Sequence, residues 1–206
     1  MNMMALYSSE NCLNCHRVRF VLAEKGINVE IIHVEQDRAA TADLAELNPY
    51  GETPTLVDRD MVLYGTWVVT EYLDERYPHP PLMPVDPVSR SRLRLAMYRM
   101  HRDWIEAGQI IETSGGEKKV AAAKKQLRDS LIAADDFFGL TPFILNEELS
   151  LADCALVPLL WRLPAYDINL TVKQAPKLNQ YMERMFRRDS FQRSLTEAER
   201  LMRESE

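Results

Sequence analysis

The sequence predicts an α/β domain with a small mixed sheet, followed by an all-α domain. Over the first eighty residues, short apolar runs typical of strands alternate with segments whose apolar residues recur at helical spacing. Beyond Pro87 only helical patterns recur. Five of the chain's eleven prolines lie between Pro78 and Pro87. Because prolines interrupt regular structure, we place the boundary there and predict domains over residues 1–84 and 85–206.

The first domain is predicted to have the element order β-α-β-α-β-β-α. Gly26 ends the first helix, and Asn48 with Pro49 ends the second. A βαβ crossover implies that the first two strands are parallel. An Asp-Arg-Asp turn at residues 58–60 implies that the last two strands form an antiparallel hairpin. The predicted strands are 4–7, 28–34, 55–57 and 61–63, and the predicted helices are 15–25, 39–47 and 66–76.

The second domain is predicted from amphipathic patterns separated by glycines and prolines. Ser150 and Asp153 have the spacing of a capping box, in which the hydroxyl accepts from an amide of the first turn and the carboxylate reaches back. They therefore predict the start of a helix. The other predicted helices are 89–111, 117–138, 175–187 and 190–203.

Composition excludes several classes of protein. With 206 residues, of which 46% are hydrophobic, the chain has the profile of a soluble globular protein, and it lacks an apolar run of the ~18–20 residues that a membrane span needs. Its N-terminus does not predict a signal peptide, and three cysteines disfavour a secreted disulfide scaffold, so we expect a cytoplasmic protein. A net charge of −6 disfavours direct binding to nucleic acid.

Cys12 and Cys15 lie where the first strand turns into the first helix. A C-x-x-C pair in a cytosolic βαβ context is typical of a thioredoxin-like redox site. Unpaired amides at a helix N-terminus lower a thiol pKa, and His16 and Arg17 add positive charge, so Cys12 is predicted as the nucleophile and Cys15 as the resolving thiol. The alternative is that both are small residues that fill a turn and a helix face. A zinc site would need two more ligands nearby, and none is predicted.

Thr53 and Pro54 precede the predicted hairpin, where a thioredoxin-like fold usually holds a cis-proline. A cis bond there exposes the backbone of Thr53 to the mouth of the first helix. The alternative is an ordinary turn proline.

The proline-rich segment, residues 77–84 with the sequence YPHPPLMP, has two interpretations. As a joint, its prolines fix the backbone between two domains. As a binding surface, it presents His79, Leu82 and Met83 on an extended backbone whose ordering entropy is already lost. The residues alone favour the joint.

The helix that follows carries arginines that form either a solvated face or a site for an acidic partner, with Tyr98 and Trp104 on the same side. These arginines are Arg90, Arg92, Arg94, Arg99 and Arg102.

Together these features resemble the glutathione S-transferase fold over the whole chain, with a thioredoxin-like N-terminal domain and an all-α C-terminal domain. The resemblance implies that Cys12 stands where that family activates the glutathione sulfur, and that the Thr53 backbone pairs with the tripeptide. The family's Glu-Ser or Gln-Ser pair is replaced here by Gly65 and Thr66. Thr66 can still bind an anion at a helix N-terminus, but Gly65 lacks the acidic group for the glutathione amine. The implied glutathione site, with Pro54, is therefore vestigial, and no cofactor is expected.

Longer stretches, among them VRFVLAEKG, TPTLVDRD, EYLDERYPHPPLMPVDPVSR and SLADCALVPLLWRLP, resemble the bacterial stringent starvation protein A family. The resemblance implies a non-enzymatic homodimer that contacts RNA polymerase holoenzyme and its primary sigma factor and adjusts transcription during starvation and acid stress. It favours the binding-surface interpretation. The alternative function is a glutathione-dependent thiol transferase or disulfide reductase that uses Cys12. The predicted partner-binding residues are Pro78, His79, Pro80, Pro81, Leu82, Arg94 and Tyr98.

Overall fold

The computed structural model describes residues 4–35, 38–113 and 115–203, which form two compact units. The first unit contains the described residues up to Pro80 together with Asp189–Leu201, and the second contains Pro81–Arg188 and the described residues after Leu201. The predicted fold class, a thioredoxin-like α/β domain followed by an all-α domain, is confirmed. The predicted domain limits differ from the units chiefly at Asp189–Leu201, which groups with the first unit.

The sheet of the first unit has the strand order β2-β1-β3-β4 in the described residues. β1 is parallel to β2 and antiparallel to β3, and β3 and β4 form a hairpin, as the crossover and turn predict. Leu6 and Leu56 are register partners on the central strands and are fully buried, so the core lies against the middle of the sheet. The strands are β1 (Ala5–Ser8), β2 (Glu30–His33), β3 (Thr55–Asp58) and β4 (Met61–Tyr64).

Three helices follow the strands of the first unit: α1 (Leu13–Lys25), α2 (Arg38–Leu47) and α3 (Thr66–Arg76). All the predicted limits in this part of the chain lie within two residues of the observed ones. Gly26 caps α1 at φ +63°, a conformation that glycine adopts without steric cost, and this explains the predicted stop. α1 packs against α3 and α9 (Asp189–Ser194), which leaves it buried on nearly every side.

The prediction of one helix over residues 190–203 is wrong, because the chain breaks into α9 and α10 (Glu197–Leu201). Thr196 starts the second helix with a reciprocal cap. The Glu199 amide donates to Thr196 Oγ1 at 3.1 Å, and the Thr196 amide donates to Glu199 Oε2 at 3.0 Å. The sequence Thr-Glu-Ala-Glu is thus a capping box that the helical periodicity hid.

A buried ionic cluster attaches α9 and α10 to α1. Arg19 donates to Glu199 Oε1 at 2.6 Å, and both side chains are almost completely buried. Arg19 also donates to the Ser194 carbonyl at 3.0 Å, and His16 Nε2 lies 3.0 Å from Ser194 Oγ. Because a buried charge must be paired, these contacts explain why the segment belongs to the first unit.

The second unit is helical. The predicted helix 89–111 is continuous in path, but α4 (Pro87–Met100) and α5 (Glu106–Thr113) are joined by a π-helical turn, His101–Ile105. The predicted helix 117–138 ends earlier, as α6 (Glu117–Ala133), and continues as a 3₁₀ turn, Asp135–Gly139. None of the described helices combines the length and the hydropathy that a membrane span requires. The remaining helices are α7 (Leu151–Trp161), the 3₁₀ turn Pro164–Tyr166 and α8 (Pro176–Phe186).

Helix α7 is completely buried, and the predicted capping box at its start is confirmed. Asp153 accepts from the amides of Ser150 at 2.9 Å and Ile144 at 3.0 Å, and from the Tyr181 hydroxyl at 2.7 Å. Burial raises the pKa of Asp153, and these hydrogen bonds oppose the rise. One side chain therefore fixes the start of α7, the loop before it and α8.

Replacing Ser150 with Ala is expected to lower the free energy of unfolding by about 1–2 kcal/mol, because a buried N-cap hydroxyl is lost. Ser91→Ala is the matched control, since Ser91 is an exposed mid-helix serine whose hydroxyl bonds back to the Pro87 carbonyl. Urea unfolding of the two variants measures the difference. Equal values would show that the capping box does not stabilise α7.

Candidate functional site

Cys12 is the N-cap of α1, so its predicted position at the helix N-terminus is confirmed. Its sulfur accepts a hydrogen bond from the Cys15 amide at 3.2 Å. Cys12 is partly exposed, whereas Cys15, one turn further along, is fully buried. The two thiols therefore differ in access although they share the first turn of one helix.

The Cys15 sulfur is surrounded by groups that stabilise a negative charge. Burial alone raises the pKa of this thiol, but hydrogen bonds from the side chains of Cys12 and Thr53 oppose burial. The Ser9 amide, 3.4 Å from the sulfur, and the positive charge of Arg19 act in the same direction and bring the pKa down to about 7. The lowered pKa thus belongs to the thiol that the sequence assigned as the resolving group.

The prediction that His16 adds positive charge beside Cys12 stays a prediction. His16 is fully buried, and its ring nitrogens lie 3.0 Å from Ser194 Oγ and 3.6 Å from Glu199 Oε1. The cation that lowers the pKa of Cys15 is Arg19, which the sequence analysis did not single out. A buried arginine inside a helix has no local signal, because its partners lie about 180 residues away in the sequence.

The Thr53-Pro54 bond is cis, as predicted, and Thr53 Oγ1 lies 3.0 Å from Ser9 Oγ. The loop before β3 and the turn before α1 therefore meet at the thiols. Gly65 is the N-cap of α3 at φ +81°, without a side-chain cap, and Thr66 is the first residue of that helix. In the part of the chain that the structure describes, no three His, Cys, Asp or Glu side chains are grouped to hold a metal ion.

Lys25 holds the start of the proline-rich segment. Its side chain is completely buried, and Nζ donates to Asp74 Oδ1 at 2.5 Å and to the carbonyls of Tyr77 at 2.7 Å and Pro80 at 2.6 Å. These three bonds match the three donors of an ammonium group. The last residue of α1 therefore fixes both the C-cap of α3 and the backbone at Pro80. No pattern in the sequence near Lys25 predicts this role.

The proline-rich segment is exposed only in its first half. Pro78, His79, Pro80 and Pro81 are exposed, and the His79-Pro80 bond is cis. The prediction of Leu82 as a partner contact is wrong for its side chain, which is 2% exposed. Leu82 lies in the second unit, where its carbonyl accepts from the Leu151 amide at 2.9 Å, and Met83 is buried too. The sequence could not predict the burial of Leu82 and Met83, because an extended proline-rich segment has no hydrophobic periodicity.

On α4, Tyr98 is exposed and Arg94 is partly buried. Trp104 does not share the exposed face with Tyr98, because it is buried and stacks on Phe138 with ring centroids 5.9 Å apart. Arg94 and Tyr98 therefore stay predictions as partner contacts, and Trp104 belongs to the core.

A cis-proline beside the N-terminus of α1 and a separate helical unit define a protein of the glutathione S-transferase fold class. Residues 11–76 match the family model of the glutathione S-transferase N-terminal domain, and residues 89–189 match that of the C-terminal domain. A glutathione S-transferase from Methylobacillus flagellatus, solved with glutathione bound, superposes with a TM-score of 0.73 at 27% identity, covering 93% of this chain and 98% of that chain.

Two curated relatives are more similar in sequence. The stringent starvation protein A homolog of Coxiella burnetii is 45% identical and covers 98% of this chain and 96% of its own length. The homolog of Haemophilus influenzae is 46% identical and covers 96% of this chain and 92% of its own length. The chain therefore belongs to the stringent starvation protein A family.

Lys25→Met is expected to lower the free energy of unfolding by about 3–5 kcal/mol, because it leaves the buried Asp74 carboxylate without its cation. The amides of residues 77 and 79 should also exchange faster with deuterium. Lys177→Met is the matched control, since Lys177 pairs with Asp136 on the exposed surface and should have almost no effect. Urea unfolding with hydrogen exchange measures both results, and equal effects of the two variants would contradict the role of Lys25.

Proposed function

We propose that this protein is a regulator of transcription under starvation and acid stress that acts by contact with RNA polymerase holoenzyme and its primary sigma factor. The observation that carries the proposal is the exposed stretch Pro78-His79-Pro80-Pro81, with Lys25 bonded to the carbonyls of Tyr77 and Pro80. Membership of the stringent starvation protein A family supports it.

The chemistry of this stretch suits protein contact. Proline side chains and an imidazole present apolar edges and one polar group, and the carbonyls of Tyr77 and Pro80 are already bonded to Lys25. A partner therefore meets a surface whose ordering entropy has been lost during folding. The net charge of −6 favours contact with DNA through the polymerase rather than by this chain. The proposal includes a homodimer in the cytoplasm that needs no cofactor.

A variant with His79→Ala, Pro80→Ala and Pro81→Ala is expected to bind purified RNA polymerase holoenzyme at least about tenfold more weakly than wild type. Circular dichroism checks its fold. Val85→Ala is the matched control, because Val85 is 91% exposed just beyond the proline-rich segment. Equal binding of both variants would mean that this stretch is only a joint, and no binding by wild type would overturn the proposed function.

A second candidate function is glutathione-dependent thiol transfer or disulfide reduction. The position of Cys12 at a helix N-terminus beside the cis bond of Pro54 favours it, as does the fold shared with glutathione-binding structures. Gly65 opposes it, because the position that would neutralise the glutathione amine carries no side chain.

Calorimetry with glutathione and turnover of a glutathione mixed disulfide distinguish the two candidates. The regulator proposal expects no measurable affinity for glutathione. Measurable affinity together with catalytic turnover that disappears in Cys12→Ser would instead establish the enzyme.

A further inference from the structure

We propose that Cys12 and Cys15 form a redox modification site, at which a low-molecular-weight disulfide converts the two thiols reversibly into one intramolecular disulfide. This inference does not depend on binding to RNA polymerase. It also differs from enzymatic thiol transfer, because the product is the modified protein itself.

The first turn of α1 places the two sulfurs against each other. Cys12 Sγ accepts from the Cys15 amide at 3.2 Å, and the two thiols are joined by a side-chain hydrogen bond. Residues three apart at the start of a helix lie on the same side of it. The two side chains therefore meet at the start of the helix.

The difference in burial between Cys12 and Cys15 determines which thiol reacts first with the small disulfide. Cys15 is fully buried, so a disulfide from solution cannot reach it, whereas Cys12 is partly exposed. The Ser9 amide, the Thr53 hydroxyl and Arg19 stabilise negative charge on Cys15 near neutral pH. Cys12 is thus the point of entry, and Cys15 is a ready internal nucleophile.

The reaction balances in two exchange steps. The hydrogen-bonded pair shares one negative charge, and when the proton lies on Cys15, the Cys12 thiolate attacks one sulfur of the small disulfide RSSR. The S–S bond of RSSR breaks, a Cys12–SR mixed disulfide forms, and RS⁻ leaves and takes a proton. The Cys15 thiolate then attacks the Cys12 sulfur and releases the second RS⁻, which is protonated in turn. Two cysteine thiols are oxidised by two electrons, and RSSR is reduced to two RSH.

This chemistry does not require a complete glutathione site. An exchange with a small disulfide needs only an accessible sulfur and a resolving thiol, so the absence of a side chain at Gly65 does not oppose it. Cys154 provides an internal comparison, because it is 1% exposed on α7 and has no second cysteine in its helix.

The full chain is incubated with oxidised glutathione, quenched with acid, and alkylated in denaturant for intact mass measurement and peptide mapping. Wild type is expected to lose two alkylatable thiols together and keep Cys154. Cys15→Ser is expected to retain one glutathione adduct at Cys12, and Cys12→Ser is expected to lose none. Cys154→Ser is the matched control and should oxidise at the pair as wild type does.

The conversion of the mixed disulfide in wild type should become about tenfold faster per pH unit until the Cys15 thiol is ionised and then level off, since the thiolate of Cys15 is the attacking group. A structural pair of thiols would show no such profile. The proposal is overturned if wild type keeps three alkylatable thiols, or if mapping places the adduct or disulfide elsewhere. Mapping of wild type needs no variant, so the test stands even where a cysteine variant fails to fold.

Discussion

The first unit depends on the burial of α1, a helix that carries charged side chains into the core. Arg19 and Lys25 are both buried, and a charge removed from water is tolerated only when it is paired. Each partner comes from a distant part of the chain: Glu199 and Ser194 face the middle of the helix, and Asp74 with two carbonyls faces its end. The need to pair the buried charges of α1 therefore determines which segments pack around this helix.

The two ends of α1 carry the features that bear on function. At its N-terminus, the first turn brings Cys12 and Cys15 together, and the cis-proline loop supplies Thr53. At its C-terminus, Lys25 fixes the backbone of the proline-rich segment. The same packing supports both places, because α1 is buried along most of its length between them.

Local patterns predicted most of the fold. Short β-branched runs, Gly26 and the Ser-x-x-Asp spacing located the strands, the end of α1 and the start of α7, because each acts over a few residues. The break at Thr196 was missed since its capping box lies inside a longer apolar repeat. Arg19 was missed and Leu82 was misjudged for another reason. Their environment is set by contacts across tens or hundreds of residues, and the sequence near them does not record which way they face.

The assignment of Asp189–Leu201 to the first unit has a consequence for biosynthesis. Glu199 neutralises Arg19, and Ser194 accepts from the same guanidinium, so the first unit has its full set of partners only when these residues are present. On the ribosome they are made only after residues Pro81–Arg188, which form most of the second unit. Nascent chains usually fold their N-terminal part first. Here the first unit reaches its full set of contacts only after translation has passed Arg188, and until then Arg19 lacks the carboxylate of Glu199.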